Sequence, residues 1–100
     1  LILMARTMTA EEALRWGLVN AVVPPADLLR TAREWADTIC ERGPLAVRAA
    51  KEATLRGLTM PLADGLRLEA FLSGTLRGTA DAVEGPKAFA EKRKPNFQAR

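Results

Sequence analysis

Thr9-Ala10-Glu11-Glu12-Ala13-Leu14-Arg15-Trp16-Gly17-Leu18-Val19-Asn20 decides how this chain is read. Thr9 followed by Glu12 has the capping-box form, in which a threonine hydroxyl and a glutamate three residues on satisfy each other's backbone amides. A helix therefore starts after Thr9 and runs to about Trp16. Gly17 supplies the left-handed position that commonly ends a helix. Leu18 to Val23 is rich in β-branched residues and bounded by Gly17 and Pro24, so it reads as a short strand or an extended link.

The same punctuation recurs outward from this stretch. Pro24-Pro25 turns the chain, and a second helix is predicted from about Ala26 or Asp27 to before Gly43. Its apolar residues Leu28, Ala32, Trp35, Ala36 and Ile39 form one helical stripe. Pro44 suits the first turn of a third helix, whose Ala46, Val47, Ala50 and Ala53 make a narrow small-residue face for a neighbouring helix or a cofactor. Arg48, Glu52 and Arg56 form a charge ladder on the opposite side. Gly57 stops this helix and Pro61 opens a fourth. There Leu62, Leu66, Leu68, Phe71, Leu72 and Leu76 spread around more than half the circumference, so cover is expected on two sides, in part from another domain or subunit. Glu69 beside them reads as a tuned acid or a structural ion-pair partner. Thr79-Ala80-Asp81 caps a last helix, in which Pro86 predicts a kink or a fresh start. Pro95 leaves Asn96 to Arg100 as a tail. The expected fold is mainly α, with about five helices, one short extended link and no internal repeat.

A chain of 100 residues is one domain at most. It opens on Leu1 in an apolar run with no basic leader, which reads as a segment of a longer chain rather than a secretory signal. No stretch has the ~18 apolar residues of a membrane helix; a soluble, cytoplasmic protein is expected, with no membrane partner. Cys40 is the single cysteine and there is no histidine. Those counts exclude an internal disulfide, a Cys–His nucleophile and a serine–histidine triad, and leave no zinc site. Cys40 is expected to pack as an ordinary apolar residue. The net charge of +3 is local: Lys87, Lys92, Arg93, Lys94 and Arg100 crowd the C-terminal end. Such a cluster fits an anionic partner or a solvated tail. Nucleic acid is not the expected partner, because no aromatic platform or binding motif accompanies the charges.

Three blocks of this sequence resemble the enoyl-CoA hydratase/isomerase (crotonase) family. Thr9 to Asn20 followed by Val22-Val23-Pro24 resembles its "A-x-E-A-x-x-x-G-L-V-x-x-V-V-P". Pro44-Leu45-Ala46-Val47 with Ala50-Lys51-Glu52-Ala53 resembles "P-L-A-V-x-x-A-K-x-A". Thr79 to Phe97 resembles the closing "T-x-D-x-x-E-G-x-x-A-F-x-E-K-R-K-P-x-F". Two departures stand out: Met4-Ala5 where the family commonly has Thr-Gly, and Pro86 inside the third block.

The resemblance implies that residues 1–100 are the C-terminal helical assembly region of a crotonase-like fold, with the catalytic ββα core upstream of Leu1. It implies an acyl-CoA substrate, no tightly bound cofactor and a homo-oligomer, trimeric or hexameric in the full-length family. The most frequent activity is water addition to a 2-enoyl-CoA; isomerases, decarboxylases and thioester hydrolases share this tail. The family's catalytic amides and glutamates match nothing in this chain, so no catalytic residue and no metal ligand is assigned. Phe89 and Lys92 do match, as the aromatic and the cation that contact the adenine end of CoA. On a helix they would share a face. The alternatives are that Phe89 is core and Lys92 merely solvated, or that the whole chain is a non-catalytic helical self-association module.

Overall fold

The first helix, α1 (Ala10–Arg15), begins and ends on local hydrogen bonds. Glu12 N–H donates to Thr9 Oγ1, and Thr9 N–H donates to Glu12 Oε2, both at 3.1 Å. The Thr9 amide, then the charge of Arg6, holds the Glu12 carboxyl below the usual carboxylate range. At the other end Gly17 takes φ 71. Its N–H donates to Leu14 O at 3.0 Å, and Leu18 N–H donates to Ala13 O at 2.8 Å. This pair of bonds is the Schellman closure, and it needs the left-handed residue. Gly17→Ala is therefore expected to destabilise the fold by about 1 kcal/mol, read as a lower urea midpoint. The reverse holds at Ala5, which adopts φ 47 where the crotonase pattern has glycine. The turn is kept and the side chain is strained, so Ala5→Gly should raise the midpoint.

This computed structural model describes residues 2–100; Leu1, on which the longer-chain expectation rests, lies outside them. Residues 18–23 form no strand, so the extended-link reading holds. A 3-10 turn at Pro25–Asp27 leads into α2 (Leu28–Cys40). Arg30 clips the start of α2, 2.9 Å from Asp27 and 2.8 Å from Glu34. Leu28, Trp35 and Ile39 of the predicted stripe stay exposed. Cys40 is exposed as well, contrary to the expected packing: apolar periodicity gives a residue a face, but burial requires something to cover that face.

Pro44 occupies the first turn of α3 (Pro44–Gly57), and α4 spans Leu62–Leu76. These two helices make the one extensive helix–helix contact among the described residues. Two glycines let the backbones meet: a Cβ on Gly65 would lie 3.6 Å from Gly57 Cα. Ala46, Ala50 and Ala53 of the small-residue face line the α3–α4 groove with Leu72 and Leu76. On the charge ladder, Arg56 reaches Glu52 at 2.7 Å. The rest of the broad apolar surface of α4 is open, with Leu62 78% and Phe71 68% exposed. Glu69 is exposed at the same groove, and it is neither a buried acid nor an ion-pair member among the described residues.

The last helix, α5 (Ala80–Ala90), carries Pro86 inside it. The helix continues through Pro86, so the expected fresh start does not occur. Gly85 has no Cβ to clash with the proline ring, and a single amide donor is lost. One compact unit of the chain ends at Trp35 and a second begins at Ala36. Ala13 and Ala88 are the only buried hydrophobic residues among those described. No described helix is long and apolar enough to cross a membrane.

Candidate functional site

The predicted site residues lie where α5 ends. Glu91 is the C-cap, and Lys92 takes φ 53 just beyond it. Lys92 N–H donates to Phe89 O at 3.2 Å, and Arg93 N–H donates to Ala88 O at 3.0 Å. This is the closure seen at α1, with lysine in place of glycine at the left-handed position. The substitution is strained by about 1 kcal/mol. It also corrects the expected shared helical face, because Lys92 stands outside the helix. Phe89 is still on α5 and is 87% exposed, so it is not core in this chain. The Lys92 side chain has no ion-pair or hydrogen-bond partner among the described residues.

The inward side of α5 organises everything after the turn. Arg93 sets both terminal nitrogens on the Glu84 carboxylate, with Nη2 at 2.9 Å from Oε2, while its Nε reaches Glu91 at 2.6 Å. Asn96 N–H donates to the same Glu84 at 2.8 Å. The Arg93 guanidinium, then the Asn96 amide, pulls the Glu84 carboxyl from its usual 4.5 down to about 2; the Arg93 pKa moves up in step. One turn earlier, Asp81 accepts Gln98 N–H at 2.7 Å and Ala99 N–H at 2.9 Å. Asp81 is buried, in the first turn of α5, where a helix favours negative charge. The Phe97 ring lies over the backbones of Gly43 and Gly85, each within 4 Å of where a Cβ would sit.

Residues 96–100, the tail that Pro95 sets off, are thus tied along α5. The basic cluster divides accordingly. Arg93 is held by Glu84 and Glu91 and Lys94 reaches Glu41 at 3.2 Å, whereas Lys92, like Lys87 and Arg100, is exposed with no side-chain ion pair among the described residues. Sequence reading singled out Phe89 and Lys92 but missed Asp81, Glu84 and Arg93 as their scaffold. Asp81 looked like a capping residue, and Glu84 and Arg93 are nine positions apart, a spacing with no local signature.

Because the folded-state pKa of Glu84 is depressed, its stabilisation is complete above pH 4.5 and is lost as pH falls through about 2. Urea midpoints of the native chain and of Glu84→Gln are expected to differ at pH 6 and to converge between pH 4.5 and 2. A gap that stays constant through this range would contradict the assignment.

The family profile described as "Enoyl-CoA hydratase/isomerase" matches residues 1–100. A carnitinyl-CoA dehydratase of Salmonella arizonae is 47% identical over 98% of this chain, and an (E)-benzylidenesuccinyl-CoA hydratase of Thauera aromatica 45% identical over 98%. The chain spans 39% and 38% of the length of these two relatives. Among solved structures, an enoyl-CoA hydratase from Bacillus anthracis superposes with a TM-score of 0.98 at 41% identity, covering all of this chain and 39% of that one. A mainly helical fold, three sequence blocks in order and a match along the full 100 residues place this chain in the enoyl-CoA hydratase/isomerase family.

Proposed function

We propose that this chain is the C-terminal segment of a cytoplasmic acyl-CoA-processing enzyme, an enoyl-CoA hydratase that adds water to a 2-enoyl-CoA. In this reading the catalytic ββα core lies upstream, and the segment supplies an assembly surface and two contacts to the adenine end of CoA. The relatives at 47% and 45% identity are named for dehydration and hydration of CoA esters, which favours hydratase over isomerase, decarboxylase or thioester hydrolase. Bound acyl-CoA is the substrate, and no tightly bound cofactor is invoked.

The observation that carries the site is the pairing of an 87% exposed Phe89 with an outward, unpartnered Lys92 at the end of one helix. A flat aromatic face suits the adenine base. A mobile ammonium suits the phosphates as a point charge. The assembly role rests on surface area. The chain exposes 8473 Å², whereas a self-contained protein of this mass exposes about 5,600 Å². Leu62, Leu66 and Phe71 on α4 contribute to that excess. The surplus fits a homo-oligomer, a trimer or hexamer, and cover by the upstream core.

In the full-length enzyme, Phe89→Ala and Lys92→Ala are each expected to raise KM for crotonyl-CoA about tenfold with little change in kcat. Neither should affect the crotonyl thioester of N-acetylcysteamine, which lacks the nucleotide. Equal losses on both substrates, or no loss on either, would sink the assignment. The exposed α4 face also favours a second reading, a non-catalytic self-association module. Light scattering separates it, since a strict monomer at high concentration counts against self-association by this segment.

A further inference from the structure

The end of α5 is not explained by its own sequence. Glu91, Lys92 and Arg93 are all good helix formers, and no glycine supplies the left-handed residue. Pro95 disfavours helix only from Lys94 onward. Yet the helix stops at Ala90 and Lys92 turns left-handed. What holds the turn is tertiary: Glu84 takes both terminal nitrogens of Arg93, and it also accepts the Asn96 amide from beyond Pro95.

One carboxylate therefore grips the chain on both sides of Lys94. Without that grip, residues 91–93 are free to continue the helix, which would carry Lys92 to a different position relative to Phe89. We propose that Glu84, acting through Arg93, is a positioning residue that holds Lys92 in its left-handed turn and so fixes the spacing between the Lys92 ammonium and the Phe89 ring. This inference rests on the reading that Phe89 and Lys92 contact the nucleotide end of CoA. Glu84 itself touches no substrate; it lies on the half-buried side of α5 while Phe89 faces outward. The Glu91 bond to Arg93 closes the same turn from within.

Two variants test the pair in the full-length enzyme. Glu84→Gln keeps an oxygen for the Asn96 amide and loses the ion pair; Arg93→Lys keeps the charge and loses the two-pronged geometry. Each is expected to raise KM for crotonyl-CoA about fivefold with kcat within about twofold, and to leave the N-acetylcysteamine thioester unaffected. In a Lys92→Ala background, Glu84→Gln should add little further, because both act on one contact. A similar loss on both thioesters would reduce Glu84 to a structural residue and overturn the proposal, as would unchanged kinetics. If Glu84→Gln fails to fold, Arg93→Lys decides the question by the same readout. Failure of the parent reading looks different: Lys92→Ala alone would then leave the ratio of the two substrates unchanged.

Discussion

The isolated 100-residue chain is expected to hydrate crotonyl-CoA no faster than buffer, while the full-length enzyme that carries it turns the substrate over. Hydration of an enoyl thioester needs a positioned acid and base, and donors aimed at the oxyanion that develops on the thioester. Loss of a single oxyanion donor typically lowers kcat about 10²- to 10³-fold. The family pattern for those amides and glutamates finds no counterpart in these residues. There is no histidine to serve near neutral pH. The two carboxylates with displaced pKa values, Glu12 and Glu84, are both moved down and are engaged in structural bonds. Neither is suited to donate a proton near neutrality. Turnover by a homogeneous preparation of the chain would overturn the assignment of catalysis to an upstream core.

Asp81→Ala is expected to produce the largest loss of stability of any single side-chain truncation near the site, about 3 kcal/mol. The buried carboxylate accepts two backbone amides from the C-terminal residues, and a hydrogen bond to a charged acceptor contributes about 1.5 to 3 kcal/mol. Native domains are stable by only about 5 to 15 kcal/mol, so a 3 kcal/mol loss should move the urea midpoint plainly. The amides of Gln98 and Ala99 should also lose protection from hydrogen exchange, whereas those of α1 should not. Asp81→Asn keeps an acceptor oxygen and should fall between the two. If Asp81→Ala leaves both midpoint and exchange unchanged, the C-terminal residues are not held by this carboxylate.

The helices were legible because their signals are local. Thr9 with Glu12, Gly17, Pro44, Gly57 and Thr79 each act within one turn of the chain, and each sits at or beside the helix boundary it marked. Phe89 and Lys92 were found through a sequence block, which places residue types in order and says nothing of backbone conformation. Hence the expectation of one shared helical face failed at Lys92. The failures at Cys40 and Glu69 have a common cause: periodicity tells which residues share a face but not whether anything lies against it. Pro86 opens no fresh helix because Gly85 beside it, lacking a Cβ, relaxes the local clash.

The sequence by itself determined where the helices start and where all but α5 stop, which family the blocks resemble, and which two side chains stand as candidates at the end of α5. It could do so because capping, left-handed glycine and proline restrictions act over three or four residues. Only the tertiary structure decided how those candidates are presented. Asp81 and Glu84 reach residues 12 to 18 positions away, and Phe97 lies over Gly43 and Gly85. Contacts at such separations depend on the chain having already folded back on itself, so no short pattern encodes them.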